Sequence, residues 1–434
     1  MRRLIRWNGS LLWLLCVASI AVSAEKESKL VVQVATDRPD AIYQAGEEVK
    51  FLVKVSGGSA AGPGQISYVL DNDGAKELGQ GSVENSSQPA AIAAKMANPG
   101  FLRCRVTYKS PEGKTATGMA AAAVSPEKIA TSLPVPDDFD AFWAAQKAEL
   151  AKEPLEPKLT PVNSPNPKIE CFDVQVPCVD GVPVSGYFAR PKGAAPKSLP
   201  IVLWVHGAGV RSASLGGAIG GADKGMLSMD INAHGIPNGQ PAEFYKKLSE
   251  NELKDYRYRG RERRETCYFR AMFLRLVRAI DFLTAQPEWN GKVVAVVGHS
   301  QGGGQALAAG GLDRRVTFIG VGVPAICDHT GVAAGRINGW PKLVPNGPDG
   351  KPDAAVLQAS RYFDGVNFAS RYHGEAIMSV GFVDVTCPPT TCYAAYNQLR
   401  GKKQVINEPA MGHAAPPHIH AAFLKAMLDH LQQR

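Results

Sequence analysis

One stretch constrains this chain more than any other: Val293-Val294-Ala295-Val296-Val297-Gly298-His299-Ser300-Gln301-Gly302. Its first five residues form an apolar, mostly β-branched run of the kind buried on both faces of a parallel sheet. Gly303-Gly304-Gln305-Ala306-Leu307-Ala308-Ala309 then reads as the start of a helix. A strand that turns into a helix through G-x-S-x-G is a nucleophile elbow. The glycines remove Cβ atoms that would obstruct so tight a turn, and the serine hydroxyl is left exposed at the carboxyl end of the sheet. With 44 glycines in 434 residues the pentad alone says little. Its position between a buried strand and a helix gives it weight.

The surrounding rhythm is α/β. Leu199-Pro200-Ile201-Val202-Leu203-Trp204-Val205 is another buried strand and ends in His206-Gly207-Ala208-Gly209. Met272, Leu276, Ala279, Ile280 and Leu283 mark one helical face leading into the elbow strand. Residues 318–323 and 376–383 read as further strands, the second running into Asp384. Residues 403–407 lead through a short loop to His413, and Phe423, Leu424, Met427, Leu428 and Leu431 define a terminal helix. Such alternation predicts an α/β-hydrolase fold, a mostly parallel sheet with helices on both faces and sites at the carboxyl ends of the strands.

The first part of the chain reads differently. Arg2, Arg3 and Arg6 precede an apolar stretch that ends in Val22-Ser23-Ala24. That order predicts a signal peptide over 1–24, cleaved after Ala24, and hence export to a periplasm or the outside. The apolar core is shorter than the ~20 residues of a membrane span. Residues 25–125 alternate apolar and polar positions at Val49, Phe51, Val53, Val55 and at Ile66, Tyr68, Leu70. With the turn Asp71-Asn72-Asp73-Gly74 and a strand at 101–108, they predict a small all-β immunoglobulin-like sandwich. Residues 125–137, with three prolines, read as a linker. Asp137 or Asp138 then caps a helix through Phe139, Phe142 and Trp143, opening a hydrolase domain over 126–434.

Composition narrows the function. The formal charge is +8, but three of the arginines leave with the signal peptide and no nucleic-acid motif is present. The cluster Arg257, Arg259, Arg261, Arg263, Arg264 is interleaved with Tyr256, Tyr258 and Glu262 and reads as a solvated, internally paired segment, or as one facing another subunit. Seven cysteines remain after cleavage: Cys104, Cys171, Cys178, Cys267, Cys327, Cys387 and Cys392. Their odd number requires a free thiol in an exported chain, and Cys387 and Cys392 are close enough in sequence to bridge. No zinc-type spacing and no phosphate-binding loop is present, so neither metal nor nucleotide cofactor is expected.

A serine hydroxyl needs a base, and the base needs a carboxylate to fix its tautomer. Ser300, Asp384 and His413 meet the chain order of nucleophile, acid and base on this fold, each just after a strand or in its loop. Asp328, one strand earlier, is the alternative carboxylate, otherwise a loop-ordering residue. The backbone N–H groups of Gln301 and Ala208 are the expected oxyanion donors. His206 and His299 are expected to hydrogen-bond within their turns, and His418 and His420 to be surface histidines with no carboxylate partner.

At these residues the chain resembles the acetyl xylan esterase and cephalosporin C deacetylase family. The likeness runs through Val277-Arg278-Ala279-Ile280-Asp281-Phe282-Leu283, the elbow, Leu312-Asp313-Arg314-Arg315-Val316, Val323-Pro324, residues 381–390, Ala394-Ala395-Tyr396-Asn397 and Gly412-His413. It covers roughly 133 to the C-terminus. The resemblance implies a serine esterase, without metal or cofactor, that removes acetyl groups from carbohydrate esters, with Ser300, Asp384 and His413 as its triad. It also raises a toroidal hexamer, an assembly that the added β region could block or alter. His299 and Ala208 stand where the family has glycine and tyrosine, and 229–235 replaces an Arg-Gly-Gln-Gly type loop. The competing readings are a serine peptidase of the same fold and an inactive glycan-binding protein.

Overall fold

The computed structural model describes residues 29–57, 64–86 and 88–433. The signal-peptide segment, 1–24, lies outside the described residues. Strands β1 (Val31–Thr36), β2 (Ile42–Tyr43), β3 (Glu48–Ser56), β4 (Gln65–Asn72), β5 (Glu77–Glu84), β6 (Ala90–Lys95), β7 (Gly100–Lys109) and β8 (Thr115–Val124) come first. They form two sheets, β1-β3-β6 and β2-β8-β7-β4-β5. Pairing is antiparallel except where the short β2 lies parallel to β8. The period-2 pattern explains the layering. Val49, Phe51 and Val53 of β3 are buried between the sheets, while Glu48, Lys50 and Lys54 face water. This is the expected immunoglobulin-type sandwich.

In the adjoining halves of β7 and β8, 100–104 and 120–124, both faces are buried. Leu102, Cys104, Ala120 and Ala122 enter the core of the sandwich, whereas Phe101, Ala121 and Ala123 pack into the core of the following region. The expected linker is pinned as well. Asn397 Nδ2 donates to the carbonyls of Pro126 and Ile129, both at 2.9 Å, and Arg336 and Arg361 donate to Ala130 and Pro134.

The second region contains β9 (Lys158–Val162), β10 (Ile169–Val176), β11 (Val184–Pro191), β12 (Leu199–Val205), β13 (Leu227–Asn232), β14 (Trp289–His299), β15 (Phe318–Gly322), β16 (Glu375–Gly381) and β17 (Lys403–Glu408). Their order is β17-β16-β15-β14-β12-β13-β11-β10-β9. The six strands from β13 to β17 are parallel. β9, β10 and β11 extend the sheet by antiparallel pairing, a half-sheet that the α/β rhythm did not announce. Helices α1 (Phe139–Leu150), α2 (Leu215–Ala222), α3 (Ala242–Glu250), α4 (Tyr268–Thr284), α5 (Gln301–Leu312), α6 (Ala354–Ser360), α7 (Gly365–Ala369), α8 (Pro389–Tyr396) and α9 (Pro417–Gln432) complete the region.

The packing of β14 shows why residues 293–297 are uniformly apolar. Val294 and Val296 face the core built with α4 and α5, and Ala295 and Val297 face a second core under α9. α1 begins at Phe139, but the Asp138 side chain makes no cap bond. Its carboxylate instead binds the Tyr362 hydroxyl and Arg264. Among the described residues no helix is long and apolar enough to cross a membrane.

Phe273 of α4 is fully buried against Trp143, Phe269, Phe363 and Phe368. Phe273→Ala is expected to cost about 3–5 kcal/mol of stability through the cavity it leaves, read as a lower denaturant midpoint.

Candidate active site

Ser300 joins β14 to α5 with φ 58° and ψ −122°, a backbone conformation few side chains tolerate. The neighbouring chain leaves no alternative. A Cβ on Gly298 would lie 2.5 Å from the Val205 carbonyl oxygen, and one on Gly302 would lie 2.2 Å from the same atom. Three backbone bonds hold the turn: Ser300 N–H donates to Gly322 at 2.8 Å, and the Ser300 carbonyl accepts from Gly304 and Ala325.

The downstream loops bring the other two residues to this hydroxyl. Asp384 follows β16 and is buried, while His413 follows β17 and is exposed. His413 Nε2 lies 2.9 Å from Ser300 Oγ, and its Nδ1 lies 2.7 Å from Asp384 Oδ2. The other carboxylate oxygen accepts the N–H groups of Thr386 (2.8 Å) and Cys387 (2.9 Å). Asp384 is thus fixed from both sides: an ionised carboxylate accepts on one oxygen and orients the imidazole with the other. Cys387 Sγ, Asp384 and His413 also offer three ligand atoms within 4.8 Å of one another. The carboxylate and ring, however, are already bonded to each other.

Asp328 is elsewhere. Its carboxylate binds the Ser132 hydroxyl at 2.6 Å and Arg336 at 2.8 Å, so it orders a loop.

The turn after β12 lies beside the elbow. The position a Gly207 Cβ would take is 3.4 Å from Ser300 Cβ and 3.3 Å from the His299 carbonyl oxygen. Arg211 donates to the carbonyls of Gly207 and Ala208, while Gln301 opens α5, where N–H groups have no acceptor within the helix. Both strips are braced from behind by residues the sequence reading passed over. The Tyr256 hydroxyl donates to Gln301 Oε1 at 2.6 Å. His234 Nε2 meets the Gly209 carbonyl at 3.2 Å, and its Nδ1 meets the Tyr268 hydroxyl at 2.6 Å. Burial pushes His234 down to about 3, so the ring is neutral. The Gly209 carbonyl can only accept, which places the ring proton on Nε2, and the Tyr268 hydroxyl lies between Nδ1 and the Ala233 carbonyl at 3.2 Å. The loop at 229–235, singled out as a departure, therefore supplies a buried prop for the glycine turn.

Several histidine and cysteine expectations need correction. His206 does bond within its turn, with Nδ1 at 2.6 Å from the Gly207 carbonyl, and burial lowers it to about 4. His299 does not: its buried Nδ1 has no partner among the described residues. The ring instead stacks on Phe423 at 5.2 Å and abuts His420. His418 has a carboxylate partner, Glu408, at 2.7 Å. All seven cysteines among the described residues are free and buried, so Cys387 and Cys392 are not bridged. The arginine cluster is internally paired with Asp255, Glu262 and Glu265.

A mixed sheet flanked by helices, with serine, histidine and aspartate converging at the carboxyl ends of parallel strands, defines a serine-type carboxylic ester hydrolase of the α/β-hydrolase class. The acetyl xylan esterase family model matches residues 124–429, and the chain belongs to that family. Acetyl esterase Axe7A of Xylanibacter ruminicola is 29% identical over 379 residues, spanning 86% of this chain and 84% of that protein. Among solved structures, the acetyl xylan esterase from Paenibacillus sp. R4 superposes with a TM-score of 0.60 at 29% identity, covering 70% of this chain and 98% of that one. Acetyl xylan esterase 1 from Thermoanaerobacterium sp. JW/SL YS485 gives 0.58 at 24% identity, covering 70% and 96%, a likeness of fold.

Asp230, at the end of β13, is buried, and burial pushes its carboxyl up to about 7 although Ser214 N–H donates to it at 2.8 Å. A carboxyl whose pKa is raised in the folded state binds its proton more tightly there, so its contribution to stability is lost as pH rises from about 4 towards 7. Asp230→Asn removes that titration. Its melting temperature relative to wild type is expected to be higher at pH 7.5 than at pH 4.5; an equal difference at both values refutes the assignment.

Proposed function

We propose that this chain is an exported esterase that removes acetyl groups from acetylated xylo-oligosaccharides or related glycans through an acyl-enzyme. Ser300 Oγ attacks the acetyl carbonyl carbon while His413 Nε2 takes its proton. Asp384 holds the ring with Nδ1–H turned towards it and stabilises the imidazolium that forms. The tetrahedral oxyanion points at the backbone N–H groups of Gln301 and Ala208, whose donors act where charge develops. His413 then gives that proton to the sugar oxygen as its bond to the acetyl carbon breaks, leaving acetyl-Ser300. Water attacks the acetyl carbon as the same ring takes its proton, and the proton passes to Ser300 Oγ as acetate leaves.

The observation that carries this reading is the hydrogen-bonded relay from Ser300 through His413 to Asp384 in a chain of the acetyl xylan esterase family. His413 is exposed to solvent, as a base that must meet a sugar leaving group and then a water has to be. Export follows from the charged, apolar and small-residue order at 1–24.

The wild-type protein is expected to hydrolyse 4-nitrophenyl acetate and to release acetate from acetylated xylo-oligosaccharides, and not to cleave peptide amides. Ser300→Ala is expected to lower kcat by about 10⁵-fold or more, and Asp384→Asn by about 10⁴-fold. Full activity in Ser300→Ala would overturn the mechanism, and acetate release confined to non-carbohydrate esters would overturn the substrate class.

A further inference from the structure

The Asp71-Asn72-Asp73-Gly74 turn at the tip of the β4–β5 hairpin is not an idle loop. Asp73 is 2% exposed, and its Oδ2 accepts the backbone N–H of Thr390 at 3.0 Å, across 317 residues of sequence. Thr390 is the second residue of α8. Pro388 at the N-cap offers no side-chain cap and Pro389 has no N–H, so Thr390 carries the first free N–H of that helix. The helix therefore takes its cap from the other module.

The cap lies on a short path to the reaction centre. Three residues before Thr390, Cys387 N–H donates to Asp384 Oδ1, and Asp384 Oδ2 meets His413. On the other flank of Asp384, Phe382 packs edge-on against Phe101 of β7 at 5.1 Å, and Phe101 also contacts Tyr393 of α8 at 5.7 Å. The segment carrying Asp384 is gripped at both ends by the N-terminal sandwich.

The gripping tip is itself stiff. Arg103 Nε donates to Asp71 Oδ1 at 2.8 Å, Arg105 Nε to Oδ2 at 2.9 Å, and Gly74 N–H to Oδ1 at 2.6 Å. Asp73 N–H is bonded to the Phe101 carbonyl at 2.9 Å.

We infer that the N-terminal sandwich supports the catalytic acid, with Asp73 as a positioning residue that acts on Asp384 through the Thr390 N–H. The inference rests on the proposed role of Asp384. In its absence α8 and the Asp384 segment would still be tied by the turn bonds of Thr386 and Cys387, so the effect is on precision rather than on assembly of the triad. Small displacements of a catalytic group reduce turnover more than binding. Burial pushes the Asp73 carboxyl up to about 7, which makes asparagine, with the same acceptor oxygen and no charge, the conservative replacement.

The experiment measures kcat and KM on 4-nitrophenyl acetate with the full chain. Asp73→Ala is expected to lower kcat about tenfold with KM within about twofold, and Asp73→Asn to stay within about threefold of wild type. If the alanine variant does not fold, as judged by circular dichroism, Asp73→Ser carries the same expectation, because its shorter side chain does not reach Thr390. In an Asp384→Asn background the same Asp73 change should lower kcat less than about twofold, since its route is already cut. A folded Asp73→Ala or Asp73→Ser protein with wild-type kcat, or a full additive loss in the Asp384→Asn background, overturns the inference. Wild-type turnover that does not depend on Ser300 overturns the mechanism on which it rests, a separate result.

Discussion

The turn at Ser300 is the constraint on which the site depends. A serine at φ 58°, ψ −122° is held because its N–H and carbonyl are bonded to the exit of β15 and the first turn of α5, and because glycines at 298 and 302 let the Val205 carbonyl approach. Such strain costs on the order of 1–3 kcal/mol and persists where the surroundings over-determine it. Here they do so with the backbones of β12, β14 and β15. The Ser300 hydroxyl is consequently presented by a main-chain turn, while Asp384 and His413 come from loops.

Those partners are precise because parallel strands end at one level. Asp384 and His413 leave β16 and β17, adjacent strands in register with β15 and so with the elbow. Each loop then needs its own fixings. Asp384 receives two backbone N–H groups from its own turn and, one helix-start further, the reach of Asp73 from a sandwich that sequence order places far away. The glycine turn beside Ser300 is propped by His234 and Tyr268, and Gln301 by Tyr256, buried polar groups that each find a partner.

Much of this was legible in the residues. The run 199–205 is a strand to the residue, the elbow is where G-x-S-x-G puts it, and Asp384 and His413 follow strands as their chain order requires. Period-2 alternation identified the sandwich. Other features were hidden for physical reasons. β10 does alternate, with Ile169, Cys171, Val174 and Val176 buried, but its antiparallel place beside β9 and β11 is set by its neighbours rather than by its own sequence. Asp138 looks like a helix cap, but Arg264 and Tyr362 compete for its carboxylate and win. His299 reads as polar, yet aromatic packing against Phe423 decides its environment.

The sequence by itself determined the class of chemistry. A serine on a glycine-flanked turn, with an aspartate and a histidine in order behind strands, is a local fact, because hydrophobic period and glycine content act over a few residues. Only the tertiary structure decided what holds these groups still. The cap on Thr390 comes from Asp73, and the brace behind Gln301 comes from Tyr256. Both are hydrogen bonds between segments remote in sequence, whose partners become identifiable only once the chain has buried them together.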